Sequence, residues 1–164
     1  MENAFCFEEF AITGGFEQVE IVNTILHNKA ITVPAFAWFL AQLIKVINVL
    51  LSSKKIDFTR FVGSGGMPSS HSSFIVSLAT VVGKIKGLDS AEFGMAIAVS
   101  LVVMYDAAGV RRAAGKQAKA LNQLIYSHNG NINFDGKLKE LLGHSPFEVV
   151  MGALLGIIIG IWLG

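Results

Sequence analysis

The chain has 164 residues, of which 52% are hydrophobic and only 15% charged, with a mean hydropathy of +0.57. Soluble domains carry nearer a quarter charged residues, so this composition points to a membrane protein, provided the apolar residues come in blocks of spanning length. A net charge of +1 gives no broad basic field for nucleic acid, and the single cysteine, Cys6, excludes an internal disulfide and a multi-cysteine metal site.

The length suits one domain, divided here into a tail or interfacial helix over residues 1–28 and a membrane-embedded domain over residues 29–164. In the first part Phe16, Val19, Val22 and Leu26 fall near one helical face, with the acids opposite. The first long apolar block begins too far along, and without a leading basic region, to read as a cleaved signal peptide.

Ala30 to Leu51 is the first span expected, with Trp38 as an interfacial or packing aromatic. Lys45 does not belong there, since an ammonium inside a span must snorkel, pair or face a polar cavity. Ser52 to Ser64 reads as a polar loop with Lys54, Lys55, Asp57 and Arg60. Next comes Gly65-Gly66-Met67-Pro68-Ser69-Ser70-His71-Ser72-Ser73. The glycines permit unusual backbone, Pro68 suits a first helical turn, and Ser69 or Ser70 can cap the helix that follows. Such a helix start favours an anion, and His71 beside it can move a proton near neutral pH.

His71 to Gly87 is a second, short span, ending in Lys84 and Lys86, which can snorkel outward. Asp89 or Ser90 caps a third, Ala91 to Ala108, which carries the deviant Asp106 near its far end. Ala113 to Tyr126, basic at its start, is expected to form an amphipathic helix on the membrane surface. Lys137 to Leu142 reads as another short helical turn before Gly143-His144-Ser145-Pro146 and a last apolar run to Gly164. That run has Gly152, Gly156, Gly160 and Gly164 at every fourth position, a stripe that lets another helix approach closely. Packing within the chain is the preferred use of the stripe, and a homodimer is the alternative. The predicted architecture is an all-α, polytopic bundle of about four transmembrane helices with one surface helix.

Four alternating spans bring every misplaced residue to one membrane face: Lys45, Arg60, the glycine-serine-histidine stretch, Asp106, Arg111, Arg112, His144 and Glu148. The excess of basic residues in the loops on that face makes it the cytoplasmic side, with both termini outside, in a multi-pass protein of the cell membrane. His144 and Glu148 are four apart and share a helical face, so the carboxylate can hold one imidazole nitrogen and leave the other as a nucleophile. Lys45, Arg60, Arg111 and Arg112 can neutralise a phosphoryl group. The amides after Gly65 and Gly66 can bind its oxygens, and His71 can protonate the leaving oxygen. The set describes phosphoryl transfer through a phosphohistidine followed by hydrolysis, chemistry that requires no metal or other cofactor. Asp106 is read as pairing with Arg111 or Arg112, or else as joining Glu140 or Glu148 in a magnesium site. For His144 the alternative to catalysis is a helix cap before Pro146.

Three blocks, Gly65 to Ser72, Tyr105 to Gly115 and Leu138 to Val149, resemble the divergent branch of the type 2 phosphatidic acid phosphatase superfamily, which also includes vanadium-dependent haloperoxidases. The resemblance runs from about Ala30 onward. It implies an all-helical membrane enzyme acting on lipid phosphates or isoprenyl diphosphates, in contact with membrane lipids. Pro68-Ser69-Ser70-His71 matches the family's Pro-Ser-Gly-His block, which implies that His71 is the leaving-group acid. His144 matches the nucleophile, Glu148 stands where the family has an aspartate, and Lys45 or one of Lys54 and Lys55, with Arg60, stands for the first block's lysine and arginine. Arg111 or Arg112 stands in for the arginine expected just before the nucleophile. The alternative function is a non-catalytic membrane protein that binds phospholipid headgroups or partner proteins with a degenerate site.

Overall fold

The computed structural model describes residues 20–53, 66–127, 138, 140 and 143–164. Every regular element among them is helical. Residues 20–27 form an exposed helical stretch. Five longer helices follow: α1 (Lys29–Ser53), α2 (Ser70–Lys86), α3 (Ala91–Ala108), α4 (Val110–Ser127) and α5 (Pro146–Leu163).

Among the described residues three stretches are long and apolar enough to cross a bilayer, Lys29–Leu51, Ala91–Ile125 and Pro146–Leu163. The middle one joins α3 to α4. The expected second span, α2, has 17 residues and a different character. It is the central helix, packed against α1, α3 and α5 at once. Its buried face is Ser70, Ser72, Ser73, Ile75, Ser77, Ala79, Val81 and Gly83. In lipid, helices gain little by hiding apolar side chains from one another, so small and hydroxyl residues make the contacts while bulky apolar ones face outward. This chain follows that inversion: Leu101, Val102, Met95 and Ile158 are exposed, while Gln42, Lys45, five serines of residues 69–77 and His144 are buried.

The glycine stripe explains how α2 fits so tightly. A Cβ on Gly156 would stand 2.6 Å from the Ser73 carbonyl oxygen and 2.9 Å from the Ser77 nitrogen, and one on Gly160 would meet Thr80 Cβ at 2.6 Å. Gly152 lies against the Ser69 carbonyl in the same way. A Cβ on Gly164 would meet Val81 of α2 at 2.8 Å, so α2 of the same chain lies against all four glycines of the stripe. From the other side, Ser73 Oγ donates to the Ala37 carbonyl of α1 at 3.1 Å.

Polar contacts fix which helix ends meet. Lys84 Nζ donates to the Ile161 and Gly164 carbonyls at 2.8 and 3.1 Å, Lys29 Nζ reaches the Gly164 carbonyl, and Lys86 pairs with Glu92 at 3.7 Å. These mark the far end of the bundle. A small apolar core of Val33, Ala37, Val81 and Ile159 lies among the helices. At the near end the Ser69 amide donates to the Glu148 carbonyl at 3.0 Å and the His144 amide to the Ala107 carbonyl at 2.9 Å. The starts of α2 and α5 and the end of α3 thus converge.

Candidate active site

Of the helices that start at the near end, α2 and α5 begin on serine caps. Ser69 caps α2, its hydroxyl accepting from the Ser72 amide at 3.3 Å and from the Ser72 hydroxyl at 3.0 Å. Pro68 therefore precedes the cap instead of occupying the first turn. A proline without an amide can stand there because the first intrahelical bonds begin later. Ser145 caps α5 in a reciprocal box: its hydroxyl accepts from the Glu148 amide at 3.3 Å, and Glu148 Oε2 accepts from the Ser145 amide at 2.9 Å. Pro146 begins the helix proper.

The box determines what His144 can do. Its Nδ1 lies 3.2 Å from the same Glu148 Oε2. A carboxylate that already accepts an amide can only accept again, so the imidazole donates from Nδ1 and carries its lone pair on Nε2. His144 is 2% exposed, and its Nε2 has no hydrogen-bond partner among the described residues. Burial pushes its pKa below the ordinary histidine value and the Lys45 charge pushes in the same direction, while the Glu148 hydrogen bond and charge oppose them. The His71 ring stands edge-on to it, with ring centroids 6.2 Å apart.

Lys45 also turns inward. It is 2% exposed, and Nζ donates to Ser70 Oγ at 3.1 Å. Snorkelling is therefore not its arrangement; the ammonium ends at the start of α2. Gly66, at φ +97°, passes over its aliphatic stem. Lys45, Ser70, His71, His144 and Glu148 thus form one cluster at the near end. Ser69 belongs to it structurally, with its hydroxyl committed to the cap.

Asp106 and Arg111 form their own pair at the rim, Arg111 Nε to Asp106 Oδ2 at 2.5 Å, with both side chains partly exposed. Arg112 has an exposed side chain, and its backbone packs against Gly143, whose φ of +83° and lack of a Cβ permit the approach. Arg60 and Gly65, with Lys54 and Lys55, lie outside the described residues. Asp106, Glu140 and Glu148 each have a separate partner: Arg111, Asn122 and His144. Among the described residues no three histidine, cysteine, aspartate or glutamate side chains come together as metal ligands.

One contributor was not foreseen from the sequence. Asn122 of α4 is 2% exposed and uses both ends of its amide. Its Nδ2 donates to the Leu138 carbonyl at 2.9 Å and to Glu140 Oε1 at 2.8 Å, and its Oδ1 accepts from the Leu138 amide at 3.0 Å. This side chain clamps the segment leading to His144. It also accounts for a second difference: Leu138 and Glu140 are not helical, because Leu138's backbone groups are bonded to Asn122. The available signal was spacing, since Gly115, Ala118 and Asn122 share one line of an otherwise exposed helix.

A family model described as the divergent PAP2 family matches residues 26–159, which include every member of this cluster. The chain belongs to the divergent PAP2 family. The chain is also 41% identical over 131 residues to an uncharacterized membrane protein, YuiD, of Bacillus subtilis (strain 168), an alignment covering 73% of this chain and 83% of that relative. No solved structure matches the chain. This divergent PAP2 protein is thus an all-helical membrane protein with two histidines, a lysine and a glutamate gathered at one end of its bundle.

Proposed function

We propose that the protein is an integral-membrane phosphatase that hydrolyses lipid phosphates or polyprenyl diphosphates through a phosphohistidine on His144. The observation that carries this reading is the buried His144 imidazole, held at Nδ1 by Glu148 and unpartnered at Nε2 among the described residues. Membership of the divergent PAP2 family supports it.

In the first step His144 Nε2 attacks phosphorus, a P–N bond forms, and the P–O bond to the leaving group breaks. A protonated His71 gives its proton to the departing oxygen. Glu148 stabilises the charge that develops on the imidazole, as a buried carboxylate does for a nucleophile's base. Lys45 and the first amides of α2 oppose the phosphoryl oxygens. In the second step water attacks phosphorus, His71 takes its proton, and the P–N bond breaks to release phosphate and restore His144. Arg60, Gly65 and Arg111 are proposed as further phosphate contacts, with Asp106 holding Arg111; Arg112, whose side chain is exposed on α4, is not placed among them. The basic loops on this face favour the cytoplasmic side of the cell membrane.

A second reading, a non-catalytic protein that binds phospholipid headgroups or partner proteins, is favoured by Arg111, whose guanidinium engages Asp106 at the rim. Phosphate release from a panel of lipid phosphates and polyprenyl diphosphates, by the protein in detergent, separates the two. Turnover that disappears in His144→Ala supports the phosphatase. Undiminished turnover in that variant sinks the phosphohistidine route, and no turnover by the intact protein on any substrate favours the binding reading.

A further inference from the structure

Helix α4 leaves the bundle. It begins one residue after α3 ends, and α3 is the one helix it packs against among those described. Its start therefore lies at the depth where α3 emerges from the membrane, at the end that holds His144.

Three faces can be read on it. Gly115, Ala118 and Asn122 share the inward line, and Asn122 holds the segment before His144. Val110, Leu121 and Leu124 form an apolar face and are 59%, 49% and 60% exposed. Arg112, Lys116 and Lys119 are exposed on a third face, which at the 3.6-residue repeat lies on the order of 150° from the apolar one. The helix contains no aspartate or glutamate. A helix with an apolar face and an unmixed basic face, starting at the membrane boundary, lies in the interface with its cations among the headgroups.

We propose that α4 is an anionic-lipid-binding helix: Arg112, Lys116 and Lys119 engage the headgroups of acidic phospholipids while Val110, Leu121 and Leu124 rest in the acyl boundary. Charge complementarity selects the ligand, because zwitterionic headgroups offer a three-cation face no net attraction. The inference does not depend on hydrolysis. A phosphodiester headgroup such as phosphatidylglycerol is not a monoester substrate, so its binding is distinct from occupancy of the site at His144.

The test is a competition between phosphatidylglycerol and phosphatidylcholine for the full-length protein in mixed micelles, with bound lipid counted by native mass spectrometry. The intact protein is expected to enrich phosphatidylglycerol, less so as salt rises. Replacing Arg112, Lys116 and Lys119 with glutamine should reduce the enrichment by roughly fivefold per cation removed. Lys116→Gln with Lys119→Gln alone serves if the triple variant folds poorly. Lys116→Arg with Lys119→Arg should retain enrichment, as should Lys84→Gln at the far end and His144→Ala in the candidate site. No enrichment by the intact protein, or enrichment unchanged in the glutamine variants, overturns the proposal. Loss in Lys84→Gln or His144→Ala as large as in the glutamine variants also overturns it, since the lipid would then be read by overall charge or by the site.

Discussion

Glu148 Oε2 accepts from both the Ser145 amide and His144 Nδ1, so the group that closes the cap of α5 also fixes the histidine tautomer. Removing the charge without the shape isolates the second role. Glu148→Gln is expected to lower phosphate release by on the order of 10²- to 10⁴-fold, as loss of an orienting carboxylate does elsewhere. His144→Ala is expected to remove it. Single-turnover assays with a radiolabelled lipid phosphate should trap label on the intact protein and none on His144→Ala.

The pH dependence follows from the forces on His144. Burial and Lys45 hold its pKa below the ordinary value of about 6.5, so Nε2 keeps its lone pair down to a lower pH than a free imidazole would. The acidic limb of kcat/KM is expected below about pH 6.5. Glu148 raises this pKa, so Glu148→Gln should move the residual limb further to acid. Lys45 lowers it, so Lys45→Met should move the limb toward neutral pH. Movement of the two limbs in the opposite senses would contradict this assignment.

Lys45→Met also removes the described cation closest to the start of α2. A lost charge-assisted contact to phosphate is expected to reduce kcat/KM by on the order of 10- to 100-fold, and Lys45→Arg should recover only part because Lys45 is 2% exposed and the larger guanidinium must fit among its packed neighbours. Steady-state kinetics on the three proteins decides it.

Gly156→Ala tests whether the stripe is spacing for α2. With Ser73 and Ser77 backbone atoms inside 3.0 Å of the new methyl group, the helices must separate, at a cost of about 1–3 kcal/mol. Gly94→Ala, where nothing lies within 4 Å, should be neutral or stabilising by up to about 1 kcal/mol. Unfolding in detergent provides the comparison, and equal effects at the two glycines would remove the spacing argument.

Asn122→Ala leaves the Leu138 backbone without its clamp, with an expected loss of about 1–3 kcal/mol. The effect should reach phosphate release through kcat more than KM, since Asn122 positions the segment of His144 and does not face the cluster. A change confined to KM would argue against that role.

The orientation expected from the loops is testable on α4. With Cys6→Ser as background, a cysteine at the exposed Gln123 should resist an impermeant thiol reagent added to intact cells and react once they are opened. Ready labelling in intact cells would place this end outside.

Much of the fold was legible because membrane helices announce themselves by length and hydropathy: α1, α3 and α5 follow from apolar runs alone. The convergence of Lys45, His71, His144 and Glu148 was legible too, since alternating helices must return to the same face. The box at Ser145 and the pairing of His144 with Glu148 rest on spacings of three and four, which are local and readable. What the sequence could not say depends on contacts between helices far apart in the chain. The central place of α2 comes from glycines some eighty residues later, and the inward turn of Lys45 depends on Ser70 standing opposite it. Asn122 looked like an ordinary polar residue until the segment before His144 folded against it. Composition and periodicity thus determined a helical membrane protein with titratable side chains gathered at one end. Packing decided which polar side chains are buried, because burial is a property of neighbours and not of residues.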